Sequence, residues 1–184
     1  MSQPGHVAMN EADLVEAGRC YREALSLWRR AGDHDRSAGA LGFVARWERE
    51  RGRHDRAAVL LRRALIVQRA VGDRYSMART LVELAAVAAA AGDLRRAARI
   101  HAASTAAMEE MGAARRRDDQ FDVRALAPMH GAVDRGELAA EWAAGLQTTL
   151  EAAVEEALAS LGVRRPPEGV EPAHGRSRPD RERK

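Results

Sequence analysis

The stretches RGRHDRAAVLLRRAL at 51–65 and AAGDLRRAARIHAAS at 90–104 say nearly the same thing twice. Aligned on Gly52 and Gly92 they stand forty residues apart, and the register extends in both directions. Gly32, Gly72 and Gly112 repeat the spacing, with Asp33 and Asp73 following the first two. Between the glycines the columns agree: Ala17, Ala57 and Ala97; Cys20, Leu60 and Ile100; Tyr21, Leu61 and His101; Ala24, Ala64 and Ser104. A second set pairs Ala38 with Ala78, Leu41 with Leu81, Val44 with Leu84 and Ala45 with Ala85. A fixed period of this length marks stacked helical hairpins, each burying its apolar face against the next.

Each segment between glycines has helical periodicity. In 54–71 the residues Ala57, Leu60, Leu61, Ala64, Leu65 and Val67 form one stripe among arginines, and in 74–91 Met77, Ala78, Leu81, Leu84, Ala85 and Ala88 form another. The glycines supply the left-handed residue that ends a helix, and Asp33, Asp73 and Asp93 stand where the next helix needs an N-cap. Alanines in the matched columns let neighbouring helices approach closely.

Composition agrees with this arrangement. Only 4% of the 184 residues are aromatic, and much of the 46% hydrophobic content is alanine, which favours helices over sheets. Lys184 is the sole lysine, and the single Cys20 excludes an intramolecular disulfide or a cysteine-based zinc knuckle. Cys20 itself shares an apolar column, which predicts a packed thiol. The first residues lack the pattern of a signal peptide, and the longest apolar run, at 84–92, is too short to span a bilayer, so a cytoplasmic protein is expected. The net charge of +3 equals the excess of seven basic over four acidic residues in the tail 164–184. A nucleic-acid interface normally needs a basic face, so the neutral body argues against one.

The small–bulky–small series Ala57, Leu61, Ala64 and its counterpart Ala97, His101, Ser104 resembles the second helix of a tetratricopeptide repeat. Val44-Ala45 and Leu84-Ala85 stand where that family carries its Leu-Gly pair. These hairpins are longer than the common repeat and resemble the extended repeats of MalT-like and LuxR-type transcriptional regulators. AARIHAASTAAMEEMGA at 97–113, then Trp142 and Gly145, then TLEAAVEEAL at 149–158, are similar to the end of the sensor region in the large ATP-dependent members. The chain departs from those members in having neither a GxxxxGK[ST] loop nor a helix-turn-helix after the last helix.

The resemblance and the period together predict an all-α fold: tetratricopeptide-like antiparallel hairpins in a right-handed superhelix with a C-terminal helical cap. Residues 1–12 are read as an arm, 13–112 as repeats, 113–163 as the cap and 164–184 as a disordered basic tail. Residues 13–31 align with a second helix, so the array begins in mid-repeat and its leading face offers a route to a homodimer. Pro128 predicts a break or kink in 115–134. Thr148 and Glu151 predict a capping box ahead of the stripe Leu150, Ala153, Val154, Ala157, Leu158, Leu161.

Chemistry is sparse. No histidines are spaced i, i+4; His101 sits in a packing column, and His130 follows Pro128 in a segment read as irregular. Glu48, Glu50, Glu109 and Glu110 lie among arginines, as on a solvated helix face. Trp28, Trp47 and Trp142 read as packing anchors. No catalytic residues, metal site or cofactor are expected, and the chain is read as a non-enzyme.

The functional expectation is a surface. In tetratricopeptide arrays the first helix of each hairpin lines an inner groove. The resemblance places Gly42, Arg46, Arg49 and Glu50 there from one repeat, and Arg79, Val82, Ala86 and Ala89 from the next. Arginines there suit a peptide carboxylate and the alanines leave room for an apolar side chain; the competing reading has Arg46 and Arg49 simply solvated. A non-enzymatic scaffold for a protein or peptide partner follows, in the bacterial transcriptional or signalling setting that the resemblance implies. A second reading is a small-molecule effector-sensing domain detached from a LuxR-type regulator, and a third is a remnant with no ligand. A pocket between the last hairpin and the helices of 135–161 favours the second; an open charged groove favours the first.

Overall fold

A computed structural model describes residues 19, 20, 23, 26–28, 30–32, 34–113 and 120–160. The arm at 1–12 and the tail at 164–184 lie outside them. Among the described residues all regular structure is helical: α1 (His34–Glu50), α2 (His54–Val71), α3 (Arg74–Ala90), α4 (Leu94–Glu110), α5 (Gln120–Asp134), α6 (Ala139–Leu146) and α7 (Leu150–Ser160). The described residues from 19 to 30 ahead of α1 are helical as well. None of the helices searched is long and apolar enough to cross a membrane.

The joints explain why the hairpins are so tight. Gly72 has φ 71°, a left-handed conformation that other residues rarely adopt. There its N–H reaches the Arg69 carbonyl at 3.2 Å, and the N–H of Asp73 reaches that of Gln68 at 2.9 Å. This pair of bonds is the Schellman closure of a helix C-terminus. Gly52, Gly92, Gly112 and Gly136 close α1, α3, α4 and α5 in the same way. Asp73 then serves two helices at once, because its carboxylate accepts from the Ser76 N–H at 3.0 Å and caps α3. Asp93 repeats this at α4, accepting from Arg96 N–H at 3.1 Å. Asp73→Ala should therefore cost about 1 kcal/mol, read as a lowered denaturation midpoint with unchanged helical content.

Stacking follows the repeat. α1 pairs with α2 and α3 with α4, while α3 also packs on both helices of the preceding hairpin. The forty-residue register ends at Gly112, yet α5 also packs on both helices of the hairpin before it, more on α3 than on α4. Its closing glycine, Gly136, comes twenty-four residues after Gly112 instead of twenty. α6 lies on α4, and α7 runs across α2, α3 and α4. Leu61, Leu65, Leu81, Leu126, Met129, Leu150 and Val154 are fully buried, and with the column alanines they form the core. Two buried polar bonds cross between helices: Ser104 donates to the Ala78 carbonyl at 2.8 Å, and Thr80 donates to Gln68 Oε1 at 2.9 Å. Each satisfies a hydroxyl that would be costly if buried alone.

Several sequence expectations need correction. Helix α5 continues through Pro128 without a break. Pro128 and Arg124 are both exposed, so the carbonyl that the proline leaves without a donor is on the solvent side. The cap of α7 is Thr149, whose hydroxyl accepts from the Ala152 N–H at 3.3 Å; Thr148 instead donates to the Ala144 carbonyl at 2.8 Å and finishes α6. Cys20 is exposed and not packed in an apolar column. Glu48 is buried and paired with Arg53 at 3.1 Å, whereas Glu50, Glu109 and Glu110 are exposed as expected. In the turn between α5 and α6, the Arg135 guanidinium donates to Glu137 at 2.6 Å and 3.2 Å, which holds that carboxyl below the usual carboxylate range.

Candidate functional site

Two surfaces meet the requirements of a binding site. The first is the inner face made by α1 and α3. Along α1 the accessible residues are Gly39, Gly42, Phe43, Arg46 and Glu50, which recur at helical spacing on one side. Along α3 the corresponding side reads Tyr75, Arg79, Val82, Ala86 and Ala89. The first three of these are at least partly accessible. Ala86 and Ala89 are buried, in the same core as Leu126 and Met129 of α5. The inner face is thus open at the start of α3 and closed at its end, where α5 packs.

The eight residues assigned to this face divide three ways. Gly42, Arg79 and Val82 are half-buried and Glu50 is exposed, so all four border open surface. Ala86 and Ala89 are core. Arg46 and Arg49 are neither simply solvated nor presented to an incoming carboxylate, because the protein supplies one. Glu83 of α3 pairs with Arg46 and lies 3.8 Å from Arg49. Arg49 also donates to Glu50 at 3.0 Å, and its side chain is only 2% exposed. This cluster ties α1 to α3 beneath the inner face. Sequence reading missed Glu83, which occupies an apolar-looking helix, and it missed Phe43 and Tyr75, exposed by 46% and 37%. The signal was present in the two aromatics: each is a ring on the polar side of its helix in a chain with few rings.

Trp47 and Trp142 have the predicted anchoring character. Trp47 is buried, with the Arg51 and Arg53 guanidinium groups over its ring at 5.1 Å and 5.8 Å. Trp142 stands with His101 and His130 in a three-ring cluster. The two histidine rings meet edge to face at 5.0 Å, and the indole lies 5.7 Å from His101 and 6.2 Å from His130. His130 is therefore part of a helix and a packed cluster, not of an irregular segment. No group of three metal-ligating side chains occurs among the described residues.

The second surface is a pocket beside this cluster, with a volume of about 610 Å³. Its walls are Thr105, Met108 and Glu109 of α4, Ala113 just after that helix, His130, Val133 and Asp134 of α5, and Trp142 of α6. α6 packs on the first half of α4. Glu141 of α6 meets Arg95 at 2.6 Å, and a Cβ on Gly145 would lie 2.4 Å from the Arg99 carbonyl and 2.7 Å from Ala102 Cβ. Eight residues of α6 thus cover the first half of the seventeen in α4 and leave its second half to line a cavity.

Successive hairpins with a second helix of alternating small and bulky columns define a tetratricopeptide-like all-α array. Residues 5–65 match the tetratricopeptide repeat family, and repeats of this family are a non-catalytic scaffold type that generally mediates protein–protein interaction. No curated protein matches the chain, and no solved structure does.

Proposed function

We propose that the protein is a scaffold that binds an extended segment of a partner protein along the open part of its inner face. The observation that carries this reading is the pair of exposed aromatics, Phe43 and Tyr75, which helical spacing puts on the sides of α1 and α3 that carry Gly42, Arg79 and Val82. Aromatic and arginine side chains together are the usual anchors of protein interfaces. The bound segment would offer apolar side chains to the rings and a carboxylate to Arg79. Arg46 and Arg49 hold the floor of the site through Glu83 and do not contact the partner. A cytoplasmic, regulatory setting in a bacterium is part of the proposal and rests on the resemblance to LuxR-type regulators.

The test is affinity capture from the native cell with the wild type and with Phe43→Ala/Arg79→Ala. Phe43 is exposed and Arg79 partly so; a melting curve of the variant checks that it is folded, and its partner should bind roughly tenfold more weakly or less well still. Capture of the same proteins at the same strength by wild type and variant would refute the inner-face site.

The pocket between α4, α5 and α6 favours a second reading, in which a small-molecule effector binds at the end of the array. The two readings use different surfaces and are compatible in one molecule.

A further inference from the structure

We propose that α7 is an electrostatic strap: a helix that docks and releases as a unit of its own and clips the first hairpin to the second. The inference rests on neither the inner-face reading nor the effector reading.

The charges on α7 are of one sign, and all of them are matched. Glu151, Glu155 and Glu156 are its only charged residues, and each meets an arginine of a different helix. Arg69 near the end of α2 donates to Glu155 at 2.9 Å, Arg74 at the start of α3 donates to Glu151, and Arg99 of α4 donates to Glu156 at 3.5 Å. Arg74 also lies 3.7 Å from Glu110 of α4. Because α2 belongs to one hairpin and α3 and α4 to the next, the three pairs join the two hairpins through α7.

The apolar side of α7 is thin by comparison. Leu150, Ala153, Val154 and Ala157 are buried, and two of these four are alanines, whose burial removes little surface from water. By contrast, α3 buries eleven of its seventeen residues. A helix of eleven residues is too short to persist in water by itself, so α7 stays helical only while docked. All six side chains of the ion pairs are between 41% and 73% exposed, so each pair is weak alone and is screened by salt. Three acting together on a short helix with a small apolar contact make its docking depend on ionic strength. The point of release is set as well. α6 is held on α4 at Gly145, where a Cβ would meet the Arg99 carbonyl, and the connection that follows places Gln147 and Thr149 in water. Release therefore stops at that connection, and α3 and α4 keep their core.

The experiment is amide hydrogen exchange of the full chain, resolved by peptide, in low salt and in roughly tenfold higher salt. Exchange in 150–160 should quicken about tenfold at the higher salt, while 77–89 of α3 and 97–107 of α4 keep their protection. Glu151→Arg/Glu155→Arg/Glu156→Arg should remove the protection of α7 at low salt, and so should Arg69→Glu/Arg74→Glu/Arg99→Glu. Combining the two sets restores opposite charges at all three contacts, and protection should return to within about threefold of wild type. The salt comparison needs only the wild-type chain, so it decides the matter even where a variant fails to fold. Protection of α7 that ignores salt in wild type, that falls only together with α3 and α4, or that a folded combined variant does not regain would overturn the strap.

Discussion

Gly145→Ala should lower the melting temperature by roughly 4–8 °C, corresponding to about 2 kcal/mol. Helix propensity alone gives the opposite sign, since alanine is favoured over glycine in a helix by up to about 1 kcal/mol. Contact geometry overrides propensity here. A methyl group at this position would stand 2.4 Å from the Arg99 carbonyl oxygen, and backbone is the least able of all neighbours to give way. α6 must then lift from α4, loosening Trp142 and the ring cluster beside the pocket. Gly39→Ala is the matching control: Gly39 is also helical, but it is exposed and an added Cβ meets nothing within 4 Å. That substitution should leave stability unchanged or raise it. Thermal denaturation of the two variants checks both signs, and a Gly145→Ala protein as stable as wild type would contradict the placement of α6.

Glu83→Gln should cost about 3 kcal/mol, the larger of the two effects, because it removes a carboxylate from between two arginines. Arg49 is the sensitive partner. Its guanidinium is buried and would retain only Glu50, which is itself half in water. Arg46→Ala should be milder, about 1 kcal/mol, since its side chain is partly accessible and Glu83 keeps Arg49. Urea denaturation orders the three proteins as wild type, Arg46→Ala, Glu83→Gln. Equal midpoints for Glu83→Gln and wild type would mean that the cluster does not hold α1 to α3. The same geometry bears on how the inner face is probed. Removing Arg49 would weaken the scaffold along with any interface, so loss of a partner in such a variant is uninformative, whereas Phe43 and Arg79 stand on accessible surface.

The sequence carried the architecture wherever a periodic constraint acts on it. Gly52, Gly72, Gly92 and Gly112 are fixed by the left-handed closure of each helix, and Asp73 and Asp93 by the next cap, so their spacing is visible as a repeat. The end of the array was less legible. α5 packs on the last hairpin with its own apolar residues, Leu126 and Met129, but its closing glycine lies out of the forty-residue register. Pro128 suggested a break because its cost is set by whether water reaches the freed carbonyl, which composition does not encode. The binding residues were legible only in part. Membership of one helix side follows from helical spacing, and of the residues so placed Gly42, Arg79 and Val82 are half-buried and Glu50 is exposed. Burial depends on what packs against that face later in the chain: α5 closes over the end of α3 that bears Ala86 and Ala89, and Glu83 meets the two arginines from the neighbouring helix. The pocket brings together residues of α4, α5 and α6, of which the sequence marked Trp142 as a packing anchor.

The central claim is that the inner face, and not the convex one, meets the partner. Photo-crosslinking tests it most directly, with a benzophenone amino acid placed at Phe43 on the inner side of α1 or at Val59 or Ile66 on α2, all three exposed to a similar degree. The account predicts a discrete partner crosslink from position 43 and none from 59 or 66. A crosslink from 59 or 66 with position 43 silent would contradict it.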